Sequence, residues 1–274
     1  MSATLILEAP TLHDEEFRVH YLADLLRRAR ARARIPHQIP LSHAEPDIAG
    51  LTQEETAVLL CTTGRHYREF ERGRILHPDP RFLDQVGRVL ELTPAERSVL
   101  THLAARRRPA QPGPLEPDMS GLQSLLDGLG EAPALVTDLA WNVLSWNRSL
   151  AENLQDPDLV PDVERNAMLW MFSPTAAARF PGIEDEYRTL VGRVRLAYLA
   201  SAGRNSALQQ LVDSLLLIPQ AARHWHTGAL ALEPVYQPQL LVRRQQGPGQ
   251  VRTLCTVIPQ QRLRLTQFVP DLAS

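Results

Sequence analysis

Four prolines between Pro109 and Pro117 divide this 274-residue chain into two parts that must fold around separate cores. Each proline removes a backbone N–H and fixes φ, so neither a helix nor a central strand runs through the segment, which favours an extended, semi-rigid spacer. The length agrees with two domains: the expected organisation is a first domain over 1–108, a linker over 109–118 and a second domain over 119–274. Hydrophobic residues at 44% and charged residues at 22% suit a globular protein. No apolar run approaches the roughly 18 residues a membrane span needs, and the first residues lack a signal pattern, so a cytoplasmic protein with no membrane partner is expected. Two cysteines, Cys61 and Cys255, make no disulfide framework, and no Cys or His cluster has zinc spacing.

All 29 basic residues are Arg. Arg is the better bidentate reader of phosphate and guanine, yet GC-rich codon usage produces the same bias without any function. Position is more telling than number. The first 108 residues carry 16 Arg and 15 acids, the rest 13 Arg and 16 acids. Arg27, Arg28, Arg30, Arg32 and Arg34 crowd the end of the first helix, and the stretch from Gly64 to Arg108 holds ten Arg against six acids. Such excess attracts phosphate, although a solvated face explains most charge runs.

The first domain is expected to be all-α, with five helices. Phe17, Tyr21, Leu22, Leu25 and Leu26 have helical spacing within about 15–34. Thr52-Gln53-Glu54-Glu55 has the form of a capping box, and a short helix runs from it to about Leu60. Cys61-Thr62 makes a turn, Thr63 can cap the next helix, and Gly73 ends it. Two short helices joined in this way have helix-turn-helix spacing. Further helices follow over about 80–91 and from the second capping box, Thr93-Pro94-Ala95-Glu96.

A reading helix must bury one side and offer donors to the major groove from the other. Here Tyr67 and Phe70 face inward with Ala57, which leaves Thr63, Gly64, Arg65, His66 and Arg68 outward. Arg65 or Arg68 can reach guanine edges and His66 a base or phosphate. Gln53 is placed to anchor the DNA backbone, with Arg72 and Arg74 at flanking phosphates. An ordinary helical bundle with surface Arg has the same spacing.

Gly50-Leu51-Thr52-Gln53-Glu54-Glu55-Thr56-Ala57, then Arg65 through Gly73 and His77-Pro78, resemble the XRE (Cro/repressor-type) helix-turn-helix of bacterial transcription regulators over about residues 20–105. The resemblance implies a lambda-repressor-like bundle that binds double-stranded DNA as a homodimer on a palindromic operator. Two positions depart from it: Cys61, where the family usually has a turn Gly able to take positive φ, and Thr56, where it has an aliphatic residue.

The second domain is expected to be α+β. Strands are predicted over 134–138, 141–145, 229–233, 239–244 and 250–258, the last two joined by the Gly-Pro-Gly turn 245–249. Helices are predicted near 120–129, 147–154, 163–172, 183–202 and 206–217. This order gives an antiparallel sheet covered on one face by helices, the order of a PAS-like domain.

Ala132 through Asp138, Asn142 through Arg148, Asn166 through Phe172, Val194-Arg195, Leu211-Val212 and Trp225 resemble the MmyB-like ligand-binding domain found behind this helix-turn-helix. That resemblance implies regulation, often of specialised-metabolite genes in actinobacteria, by a small apolar or fatty-acid-like effector. The chain departs from the family at Trp170, Ile183 and Gly228. The expected pocket residues are Trp141, Trp146, Trp170, Phe172, Val191, Arg195, Leu199, Leu215 and Trp225, with Arg195 as the partner of a carboxylate head. All four Trp lie in this half, where filling a core explains them equally well. Effector binding is expected to repack the long helix around Val191 to Leu199. His224-Trp225-His226 lacks a third ligand for a metal. No cofactor is expected beyond a bound fatty acid or other apolar molecule.

Enzyme motifs are absent: there is no glycine-rich phosphate loop, nucleophile elbow or paired-His helix. Ser145 and Ser149 have no assignable His partner, and Asp138 reads as a turn residue. An alternative of another class stands beside the sensor: a C-terminal domain that serves dimerisation or protein interaction and takes no effector.

Overall fold

The computed structural model describes residues 14–33, 50–75, 78–104, 117–160, 165–201, 205–232, 236–243, 247–258 and 262–270. The expected linker lies outside the described residues except for Pro117 and Asp118. The chain divides into two compact units, Met1–Gln111 with Tyr198–Asn205 and Pro112–Ala197 with Ser206–Ser274.

Five helices form the described part of the first unit: α1 (Asp14–Arg32), α2 (Gln53–Leu59), α3 (Gly64–Glu71), α4 (Pro80–Val89) and α5 (Pro94–Ala104). Their starts are written in the sequence. Thr52 Oγ1 accepts from Glu55 N (3.1 Å) while Glu55 Oε2 accepts from Thr52 N (2.7 Å), which closes the capping box of α2. Thr93 and Glu96 do the same for α5, at 3.3 and 2.9 Å. Thr56, the departure from an aliphatic residue, is fully buried, and its hydroxyl donates to Thr52 O at 2.8 Å. The polar atom is thereby satisfied within its own helix.

Three consecutive helices end in the same way. After α2, α3 and α4, paired bonds reach back into the last turn: Cys61 N to Val58 O with Thr62 N to Ala57 O, Gly73 N to Phe70 O with Arg74 N to Glu69 O, and Glu91 N to Arg88 O with Leu92 N to Gly87 O. This Schellman closure requires a left-handed residue, and Gly73 supplies it at φ 70°. Cys61 and Glu91 adopt it at φ 51° and 50° despite their side chains. Two arginines at the end of α1 tie it to the bundle. Arg30 meets Glu71 (3.2 Å) and Leu51 O (2.8 Å), and Arg32 meets Glu96 (2.5 Å). Arg28 pairs with Asp24 (2.9 Å).

The second unit is built on five strands: β1 (Ala134–Asp138), β2 (Val143–Trp146), β3 (Tyr236–Arg243), β4 (Gly247–Ile258) and β5 (Leu263–Pro270). They form one antiparallel sheet in the order β2-β1-β5-β4-β3, so the fold is α+β and PAS-like. Two expectations are corrected. Strand β5, at the centre of the sheet between β1 and β4, was missed because the predicted strands stopped at Ile258. Conversely, residues 229–232 are not a strand. This segment lies directly on the helix that carries Gly192, where a Cβ would meet Ala231 N at 2.8 Å.

Alternation along the central strands divides the sheet into two faces. Ala134, Val136 and Leu263 form a buried cluster with Leu122 and Leu126 of α6 (Met119–Gly128), a covered face the sequence reading did not assign. On the opposite face, Leu135 pairs with Thr266, which pairs with Cys255, and Phe268 pairs with Thr253. The unit also contains α7 (Arg148–Asn153), α8 (Ala167–Trp170), α9 (Pro174–Arg179), α10 (Tyr187–Ala200), α11 (Ser206–Leu216) and α12 (Pro219–His226). Helix α12 was not predicted, because its Pro, Gln and paired His lack an apolar period.

Replacing Cys61 by Gly removes the cost of a side chain at positive φ in the turn before α3, and should stabilise the first unit by roughly 0.5–1 kcal/mol. Thermal unfolding should show a rise of a few degrees in Tm. A fall in Tm would contradict this account of the turn.

Candidate functional site

Helix α3 has the two faces a reading helix needs. Tyr67 and Phe70 are buried, as is Ala57 opposite them on α2. Burial and the neighbouring Glu71 carboxylate push the Tyr67 phenol above its ordinary value. Thr63 caps the helix, its Oγ1 accepting from His66 N at 3.1 Å. Arg65 and His66 are exposed. The His66 ring meets Phe82 of α4 edge-on at 5.4 Å, and Phe82 in turn meets Phe70 at 5.0 Å, so the start of α4 fixes the orientation of His66.

Three of the four expected DNA-contacting arginines already have acidic partners. Arg68 pairs with Glu54, in the first turn of α2. Arg72 and Arg74 both approach Glu69, at 3.6 and 3.4 Å. Gly64 lies beside the first of these pairs. Arg65 makes no ion pair among the described residues. Gln53 differs from expectation: its Nε2 donates to Glu71 Oε1 at 2.9 Å, inside the network of Arg30 and Glu71. Its side chain holds α2 to the end of α3.

The second unit contains a partly open cavity of about 150 Å³ between the Thr253/Cys255/Thr266/Phe268 face of the sheet and the helices above it. Leu135, Val143, Leu150, Leu154, Met168, Met171 and Leu190 supply most of its apolar wall, and Trp141 and Trp170 its aromatic one. Gln155, Arg165, Asn166, Glu186 and Arg193 are among its polar lining residues.

Of the nine expected ligand residues, the cavity wall includes Trp141 and Trp170. The other seven lie elsewhere. Trp146 stacks under the Arg165 guanidinium at 5.2 Å, and Phe172 packs on Tyr187 at 4.4 Å. Val191, Leu199 and Leu215 are buried core residues. Arg195, expected to meet a carboxylate head, donates to Trp225 O at 2.9 Å and stands 5.1 Å over its ring. The cause is helical phase. On α10 the cavity side carries Leu190 and Arg193, following Glu186, while Val191 and Arg195 lie about 100° and about 140° round the helix from Leu190. Arg193, Glu186 and the residues of β5 were missed. Only the 186/190/193 spacing was visible in the sequence, as a stripe interrupted by charge.

Trp141 reaches the cavity because of an unusual local structure. It sits at φ 63° in the turn after β1. Asp138 builds that turn: its Oδ1 accepts from Ala140 N (2.8 Å) and Asn142 N (2.9 Å), and its Oδ2 from Asn142 Nδ2 (2.9 Å). Asn166 closes the other side, donating to Ala140 O and Asn142 Oδ1 and capping α8. From β5, Arg264 lays its guanidinium 3.8 Å over the indole and donates to Asp138 O (3.1 Å) and Leu139 O (2.7 Å). Trp170 is fixed by its Nε1, which donates to Gln155 Oε1 at 2.5 Å.

Arg264→Ala removes two charge-assisted bonds to part-buried carbonyls and the cation over Trp141, and should cost the second unit roughly 2–3 kcal/mol in denaturant unfolding. A loss below about 0.5 kcal/mol, the level of an ordinary surface substitution, would show that Arg264 does not hold this wall.

Among the described residues no helix is long and apolar enough to cross a membrane, and no group of three or more His, Cys, Asp or Glu is arranged to hold a metal. Residues 21–100 match a helix-turn-helix domain, and residues 119–258 match the MmyB-like transcription regulator ligand binding domain. A search of the curated proteins finds no match. The second match spans just over half of the chain, behind a helix-turn-helix domain whose helix α3 has a buried and an open face; the protein therefore belongs to the MmyB-like transcription regulators.

Proposed function

We propose that this regulator binds its operator through α3 and responds to a small apolar or fatty-acid-like effector held in the cavity of its ligand-binding domain. The observation that carries the proposal is the cavity itself. Apolar and aromatic side chains make most of its wall, and a few polar residues border it. Arg165 and Arg193 are the cationic groups there, and they replace Arg195 as candidate partners of an anionic head. A ligand in this space bears on Leu190 and Arg193, so α10 is the helix it would repack.

On the DNA side, Arg65, His66 and Arg68 are the proposed base-reading residues. Thr63 and Gly64 lie at the approach to the groove, and Arg72 and Arg74 contact flanking phosphates. A homodimer on a palindromic operator is proposed because two half-sites one helical turn apart multiply affinity. Work in the cytoplasm, and control of specialised-metabolite genes in an actinobacterium, complete the reading.

Duplexes enriched from a random pool by the wild-type protein should lose about 100-fold or more in affinity on combined Arg65→Ala and Arg68→Ala substitution, since each bidentate guanine contact is worth roughly 1–3 kcal/mol. The melting temperature should change little. Retained sequence-specific binding would remove α3 from the reading role. Solvent extraction of the purified protein followed by mass spectrometry should recover an apolar small molecule. Recovery of none, with melting temperature unchanged across a broad metabolite screen, would favour a C-terminal domain without effector.

A further inference from the structure

Arg68 is the cation of the reading helix whose acidic partner comes from the other helix of the motif. Its Nη1 donates to Oε1 of Glu54. A Cβ on Gly64 would lie 3.3 Å from Arg68 Nη1 and 3.4 Å from Glu54 Oε1, so the absence of a side chain at the start of α3 leaves room for the pair. Both side chains are open to solvent, Arg68 at 37% and Glu54 at 66% exposure. An ion pair this exposed adds little to folding, and its effect falls on what Arg68 does at the surface.

Nη1 is the engaged nitrogen, which leaves Nη2 and Nε. Together these two present the side-on fork that fits guanine O6 and N7. Resting on the assignment of α3 as the reading helix, we infer that Glu54 determines specificity by holding Arg68 ready for guanine and withholding it from phosphate. A phosphate on the same fork sits beside the Glu54 carboxylate, whose negative charge opposes it. The sequence-independent gain therefore nearly cancels. A guanine edge carries no net charge, uses only the free fork and leaves the Glu54 bond intact. The amino group of a neighbouring cytosine adds a donor for the second oxygen of Glu54. Glu69, on α3 itself, is shared by Arg72 and Arg74, so part of the positive charge on this face is offset before DNA arrives.

Glu54→Gln keeps the side-chain shape and removes the charge. On a duplex of random sequence it should bind about 3- to 10-fold more tightly than wild type, with the slope of log Kd against log salt steeper by about one as Arg68 gains a phosphate. Preference for the duplex that wild type enriches from a random pool should fall by a similar factor. Glu54→Ala should move all three readings in the same direction. In an Arg68→Ala background, Glu54→Gln should change none of them. Equal affinity of wild type and Glu54→Gln for random DNA overturns the inference, as does an undiminished gain in the Arg68→Ala background, which would reflect repulsion by any local carboxylate. Both results leave the assignment of α3 standing. Failure of wild type to enrich any sequence overturns that assignment, and the inference with it.

Discussion

Alternation along β1 and β5 is the constraint on which the ligand-binding unit depends. Successive side chains point to opposite faces, so Ala134, Val136 and Leu263 are committed to the core under α6 while Leu135, Thr266 and Phe268 are committed to the cavity. A slip of one residue in the β1/β5 register would exchange the two sets. Because β5 lies between β1 and β4, one strand near the end of the chain supplies both the core of one face and the floor of the cavity on the other. It also supplies Arg264, which holds Trp141 in place.

The DNA-binding unit is organised by a different economy, that of arginine. With no lysine in the chain, the same residue type fills buried and surface positions, and its neighbours distinguish them. Arg30 and Arg32 are tied to Glu71 and Glu96 and hold helices together. The buried Arg18 donates to Leu103 O at 3.4 Å and to Gly73 O, and so joins the ends of α5 and α3. Arg68, Arg72 and Arg74 carry acidic partners at the surface, where exchange for DNA groups costs little. The placement of Glu separates the arginines that tie helices together from those paired at the surface.

How much was legible in the sequence follows from the range of the interactions. The first unit was readable because its signals are local: Thr52 with Glu55, Thr93 with Glu96, and Gly73 closing α3 all act within a few residues. Even the departure at Cys61 was interpretable, since the turn demands the positive φ that it adopts. The second unit was readable in its order of elements, less so in its site. Which residues face the cavity depends on register between strands more than 100 residues apart and on the rotational phase of α10, and neither is a local property. Arg195 and Arg193 are two positions apart on one helix, yet one holds Trp225 and the other borders the cavity. Gln53 shows the same limit at smaller scale, because its partner, Glu71, is 18 residues away.

The central claim is that occupancy of the cavity and occupancy of DNA are coupled in one molecule. The most direct test titrates an enriched duplex with the wild-type protein, stripped of small molecules and then reloaded with the compound recovered from it. Coupling of the usual size for allosteric proteins, roughly 1–3 kcal/mol, predicts a change in DNA affinity of about 5- to 150-fold between the two forms. Identical affinity with the cavity empty and filled would contradict it.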